Sequence, residues 1–238
     1  MTSQYFFKAG RYELIPELSK SILSLFEIEE NYQELSSTHD QIKKAYDKIM
    51  EMMGKRFLGT YYRVSFFGSG FNETHGCEYI YKEPKLTSLP EIVERLKKIH
   101  TNPTRTLKII QESSKLKWRD LDQKNDYIQI NVVQPHFPEG KETKSQFLTH
   151  HNIGTFALET PFSLTGKTHG SVTDQCRRIT LFKTAQKFPY VKKRILIIKK
   201  EVIELSPIQV INDFILGGNR SDRVPTKRVE KRRRIQDP

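Results

Sequence analysis

The spacing of apolar positions divides the chain at Gly54. Before it, Ile15, Leu18, Ile22, Leu25 and Phe26 recur at three- and four-residue steps, and Leu35, His39, Ile42, Tyr46, Ile49 and Met53 step 4-3-4-3-4. That is the period of amphipathic helices. Asn31 lies between the two patterns, so the join is short and the spacing predicts an antiparallel helix pair over 11–53. His39 falls on the second stripe and is expected to pack in the core.

After Gly54 the period falls to two. In FLGTYYRVSFFG (Phe57–Gly68), Tyr62, Val64 and Phe66 share one face, and Tyr61, Arg63, Ser65 and Phe67 share the other. Such an aromatic, β-branched run predicts a strand. The loop GSGFNETHGC and a second strand, EYIYKEP, complete a hairpin ended by Pro84. Its glycines, Gly68, Gly70 and Gly76, serve the backbone of the loop. SLPE (Ser88–Glu91) is a capping box. It opens a helix that buries Leu89, Ile92, Val93, Leu96 and Ile99 and stops at Asn102-Pro103. Further strands are predicted at 106–111, 126–134, 153–160, 175–184 and 190–204. The second of these sets Ile128, Ile130 and Val132 against Tyr127, Gln129 and Asn131. Ser206-Pro207-Ile208-Gln209 starts a last helix, which Gly217-Gly218 ends. The fold class is α+β: a helix pair, a mostly antiparallel β region with one inserted helix, then the start of another helix.

The chain has 238 residues, enough to bury a core. Its net charge of +12 points to acidic partners. Part of that charge is local: residues 219–238 carry eight Lys/Arg against three Asp/Glu, which leaves +7 over the first 218. With almost no apolar residues, 217–238 reads as a disordered basic tail. Cys77 and Cys176 have neither metal-ligand nor disulfide spacing. They are expected to be buried structural thiols in a reducing, cytoplasmic setting. No apolar run is long enough to span a membrane. The opening MTSQYFFKAGRYELI reads as the interior of something longer, so a fragment is expected.

TGKT (Thr165–Thr168) resembles the end of a phosphate-binding loop, but the position for the leading glycine holds Pro161, and a strand follows it instead of a helix. Proline offers no N–H to a phosphate, so the segment is read as an exposed basic loop between strands. There is no GxSxG or HExxH signature. His150-His151 are adjacent, a poor metal pair, and Asp120 and Asp122 are solvated loop charges. No cofactor, metal or catalytic residue is expected. The chemistry that remains is binding of another macromolecule. The candidate contact residues are Tyr62, Arg63, Phe67, Tyr127, Gln129, Asn131, Thr165, Lys167, Arg177 and Arg178. The bland alternative is core packing for each aromatic and an ordinary solvated face for each charge.

The phrases GTYYRVSFFG, EYIYKEPKLTSLPEI, KIIQESSKL, DLDQKNDYIQI, HHNIGTFALETPFSLTGKTHG, QCRRIT, FPYVKKRI and ELSPIQV occur in order between Tyr12 and Phe214. Together they resemble the DOCKER domain (Dock homology region two) of the Dock guanine-nucleotide exchange factors. EYIYKEPKLT, QCRR and FPYVKKRI are most similar to the zizimin subfamily. The resemblance implies a helical first lobe ending here (1–55), a second lobe of two antiparallel β-sheets (56–205), the start of a helical third lobe (206–216) and a tail (217–238). It also implies binding of a Rho-family small GTPase, Cdc-type or Rac-type, with release of GDP. Homodimerisation through the helical lobe is a further implication. In the family a third-lobe valine enters the nucleotide site. The resemblance stops after Phe214, so no residue here is assigned that step, and the chain is expected to bind weakly with little exchange. Two other readings stay open. One is a nucleic-acid-binding or nuclear module driven by KRVEKRRR in the tail. It is disfavoured because the aromatics and the charges lie in different parts of the chain. The other is a non-catalytic assembly fragment.

Overall fold

The computed structural model describes residues 2–55, 58–83, 87–113, 116–137, 147–163 and 174–216. The chain divides into two compact units, residues 1–57 and 58–238.

The first unit is helical: α1 (Thr2–Lys8), α2 (Leu14–Ile28) and α3 (Tyr32–Met52). Asn31 caps α3, its side-chain oxygen accepting the Glu34 N–H at 3.2 Å. The short join therefore forms as the sequence predicts, but the buried face of α3 differs. Ala45 is fully buried, with Leu35, Ile42 and Ile49 partly buried around it. His39, Tyr46 and Met53 are exposed, which corrects the expectation of a core histidine. An alanine lets helices approach closely, so the seam centres on the small residue and not on the largest apolar stripe. On α2, Ile15, Pro16 and Ser19 are buried, while Leu18, Ile22 and Leu25 are exposed.

The second unit holds β1 (Thr60–Phe67), β2 (Glu78–Glu83), α4 (Leu89–His100), β3 (Leu107–Ile110), β4 (Asp126–Pro135), β5 (Ile153–Ser163), β6 (Gln175–Phe188), β7 (Arg194–Leu205) and α5 (Pro207–Leu216). The strands pair in the order β1-β2-β7-β6-β5-β4-β3, and β1 also pairs with β4. The sheet thus closes on itself as a barrel of six strands, with β3 added beside β4. Two antiparallel sheets were expected; the strands are found joined in one hydrogen-bonded ring. All pairings are antiparallel except β3–β4, which is parallel.

Closure gives β1 two buried faces. Tyr62, Val64 and Phe66 point outward and are covered by Ile92, Val93 and Leu96 of α4. Tyr61 points inward among Ile80, Phe156, Phe182, Phe188 and Ile195. The α4 cover is held at its start and at its middle. The Ser88 N–H donates to Glu91 Oε2 at 2.8 Å, closing the capping box. Arg95 forks onto the buried Glu83 carboxylate of β2, with Nη1 2.6 Å from Oε2. In the β1–β2 loop, a Cβ on Gly68 would lie 2.1 Å from Asp126 Oδ1, and Gly68 has φ +136°. A Cβ on Gly70 would lie 2.0 Å from Asp126 Oδ2. Both glycines are there because the Asp126 carboxylate, held by Arg105 Nε at 2.9 Å, occupies the space a side chain would need.

His100 ends α4 with its ring 5.2 Å from Phe66 and 5.6 Å from Phe71. Burial, and then the nearby Arg194 charge, hold its imidazole below the ordinary histidine pKa. The unfolded chain therefore takes up this proton first as the medium is acidified. The stability is complete above about pH 6.5 and is lost as pH falls through the folded value. His136, also held low by burial, acts in the same direction. The variant His100→Phe is expected to lose less melting temperature than the parent between neutral and mildly acidic pH, keeping the His136 share. Parallel thermal melts across that range check this; equal slopes would refute it.

Candidate docking site

The closed ring decides which of the sequence-selected residues can meet a partner. Arg63 faces the barrel interior. Its Nε donates to Glu78 Oε2 at 2.8 Å. Its Nη1 donates to Gln129 Oε1 at 3.1 Å and to Asn131 Oδ1 at 2.9 Å. The guanidinium carbon lies 5.3 Å from the Phe182 ring centre. The two amides pass the network on: Gln129 Nε2 donates to the Glu112 carbonyl at 2.6 Å, and Asn131 Nδ2 to that of Gln111 at 3.1 Å. Lys200 reaches the other oxygen of Glu78. Burial pushes the Glu78 carboxyl up, but the bond and charge of Arg63, with Lys200, outweigh it and leave it below the ordinary value.

This corrects the expectation of an exposed strand face at five positions. Arg63, Gln129 and Asn131 are interior and mutually satisfied. Tyr62 is buried under α4, its hydroxyl donating to the Thr87 carbonyl. Tyr127 is buried, with Lys108 Nζ 5.9 Å from its ring centre. The physical reason is the same for all five: a barrel covered by a helix leaves its central strands no wet face. Phe67 is half-buried at the end of β1. Thr165 and Lys167 lie outside the described residues, as do the rest of TGKT and the tail. Of the two thiols expected to be buried, Cys176 is buried and Cys77 only partly so.

Besides the half-buried Phe67, two selected residues remain accessible, on the part of β5-β6-β7 that runs on past the ring. Arg178 pairs with Glu204 at 2.9 Å and stacks over the Phe162 ring at 4.8 Å. Arg177, half-buried, lies 3.4 Å from Glu159 across the strand pair. Sequence reasoning missed these partners, together with Lys183, Lys199 and Glu201, which share the Arg177–Glu159 face of the same strands, opposite Arg178 and Glu204. Their signal was the alternation of charge along each strand; what it lacked was the register (Thr160↔Arg178 and Arg178↔Glu204) that brings the charges opposite one another. A guanidinium–carboxylate pair over an aromatic ring, as at Arg178, Glu204 and Phe162, can exchange partners with another protein's charges. Among the described residues, no group of three or more His, Cys, Asp or Glu could hold a metal ion. No helix there is long and apolar enough to cross a membrane.

The sequence of this chain is similar to known families and proteins in both units. The family model DHR-2, Lobe A matches residues 1–51, and DHR-2, Lobe B matches residues 113–187. The chain is 48% identical over 213 residues to dedicator of cytokinesis protein 11 of Danio rerio. It is 41% identical over 227 residues to dedicator of cytokinesis protein 9 of Homo sapiens, and 37% identical over 212 residues to dedicator of cytokinesis protein 8 of Mus musculus. Each alignment covers 87% of this chain and 10%, 11% and 10% of those relatives in turn. The chain thus spans about a tenth of the length of the relatives it matches.

Proposed function

We infer, from a chain whose DHR-2 lobe A and lobe B matches and Dock-family relatives support a DOCKER domain, that these residues are the docking part of a Dock-type guanine-nucleotide exchange factor, of the zizimin-like branch. The partner is a Rho-family small GTPase of Cdc or Rac type, and the setting is cytoplasmic signalling. What carries the reading is the order of the two lobe matches, the first on the helical unit and the second on the barrel strands. The action needs no acid, base or nucleophile. A surface that binds the nucleotide-free GTPase more tightly than the GDP-bound one shifts the equilibrium toward GDP release, by no more than that difference in affinity. Phe67, Thr165, Lys167, Arg177 and Arg178 are the contact residues of this reading. The buried Tyr62, Arg63, Tyr127, Gln129 and Asn131 hold the strands that carry them. Homodimerisation through the helical unit belongs to the same reading.

The test is a sizing-column mixture of the chain with nucleotide-free Rho-family GTPases. Co-elution with the nucleotide-free and not the GDP-bound form is expected, with GDP release scarcely faster than spontaneous. The double variant Arg177→Glu, Arg178→Glu is expected to weaken binding about tenfold or more through like-charge contact. Separate elution of the parent chain from every nucleotide-free Rho-family GTPase would refute the reading.

A further inference from the structure

Between Asp174 and Glu201 the sequence holds nine Lys/Arg and no Asp/Glu. Five of the nine are engaged by other side chains. Arg177, Arg178, Lys199 and Lys200 pair with carboxylates, and Arg194 turns onto the barrel, its Nη1 3.1 Å from the Tyr81 hydroxyl. Lys187, Lys192 and Lys193 are exposed and form no ion pair among the described residues. All three flank the turn between β6 and β7. At its apex Val191 is 98% exposed, and Tyr190 beside it is 42% exposed. The turn is anchored from below. Phe188 is buried in the barrel core, and the Lys193 carbonyl accepts the Lys82 N–H at 2.9 Å. The anchored turn thus carries an aliphatic and an aromatic side chain outward, with cations unpaired among the described residues on either side, Lys187 at the end of β6 and Lys192 and Lys193 just before β7.

We propose that this tip, Lys187–Lys193, docks the protein on the surface of an anionic lipid bilayer. A convex apex bearing a bare valine suits a surface that can deform around it. Tyrosine favours the headgroup level of a bilayer, and lysine stems lie along apolar surface while their ammonium groups stay with the headgroups. A single-stranded nucleic acid would use the tyrosine ring and leave the valine in water. One valine and part of a tyrosine bury too little to hold a protein on neutral lipid, so the cations are required and binding falls with salt.

The basic tail would also be drawn to anionic lipid, so the experiment reads the tip itself. In the full chain, Trp118→Phe removes the one native tryptophan and Tyr190→Trp places a reporter at the apex. Phosphatidylcholine–phosphatidylserine vesicles are expected to shift its emission to the blue, and brominated acyl chains to quench it; pure phosphatidylcholine should do neither. Neutralising Lys187, Lys192 and Lys193 to Gln is expected to weaken this response about 100-fold, at roughly fivefold per charge. Val191→Asp, on an exposed side chain that folding does not use, should abolish the blue shift. The proposal is overturned if the reporter stays water-like on vesicles that bind the chain, if neutral vesicles shift it equally, or if the substitutions weaken nucleic-acid or protein binding and leave the vesicle response unchanged.

Discussion

Replacing Arg63 by methionine is expected to destabilise the β-rich unit by about 3–5 kcal/mol in denaturant melts, the cost of breaking a buried ion pair on one side. Arg63 and Glu78 side chains are only 10% and 12% exposed. Methionine fills much of the space but returns none of the three donated hydrogen bonds. Glu78 keeps Lys200, a partner whose own side chain is 46% exposed and therefore screened. Gln129 Oε1 and Asn131 Oδ1 each lose the bond they accept from Nη1. A second substitution separates charge from packing: Arg63→Met with Glu78→Leu should recover a large part of the loss, because well-packed apolar groups can replace a buried pair at little cost.

The pH dependence carries its own signature. In the parent, Glu78 sits below its ordinary pKa, so its contribution is complete above about pH 4.3 and is lost as pH falls through the folded value. Without Arg63, burial dominates and the carboxyl moves above the ordinary value. The sign reverses: the variant gains stability on acidification, as the buried carboxylate takes up its proton. The gap between parent and variant should therefore narrow as pH falls from 7 toward 4. A gap that stays constant would mean that the loss is packing and not the stranded charge.

The same residue shows what was legible in the sequence and what was not. The switch of apolar period at Gly54 is local information, and most helices and strands lie close to their expected ends, although α1 was not foreseen and the β6–β7 turn sits four residues further along than expected. The division of β1 into Tyr62-Val64-Phe66 and Tyr61-Arg63-Ser65 was also correct. Which face met water was not, because that depends on partners distant in the chain. α4 covers one face, and the β1–β4 pairing (Arg63↔Asn131, Ser65↔Gln129) wraps the other inward. Polar residues at period two ordinarily mark a wet face. Here Arg63, Gln129 and Asn131 satisfy one another, so the rule was defeated by a network that only the register reveals. His39 failed for a related reason: Ala45 carries little hydrophobic weight in a pattern, yet it sets where α2 and α3 meet.

Phe156→Ala is expected to cost about 3–5 kcal/mol, and to do so by opening one particular seam. Phe156 is fully buried, with its ring 4.9 Å from Tyr61 and 5.9 Å from Phe188, and it lies opposite Phe182 on β6. Every neighbouring strand in the ring is joined by a longer ladder except β2–β7, with three registered pairs, and β4–β5, with two: Gln134↔Ala157 and Pro135↔Phe156. One residue of the β4–β5 seam is a proline with no N–H to give. Beyond it, the His136 N–H donates to the Thr155 carbonyl at 2.9 Å. Closure there rests on side chains more than on backbone bonds, and Phe156 is the largest of them on β5. Phe66→Ala, a fully buried ring under α4, should cost a similar amount while leaving that seam intact. Hydrogen exchange distinguishes the two. The His136 amide should lose protection selectively in the Phe156 variant, whereas in the Phe66 variant it should exchange no faster than the other strand amides. Equal loss at His136 in both would mean that the ring opens as one cooperative unit and that the β4–β5 seam is not its weak point.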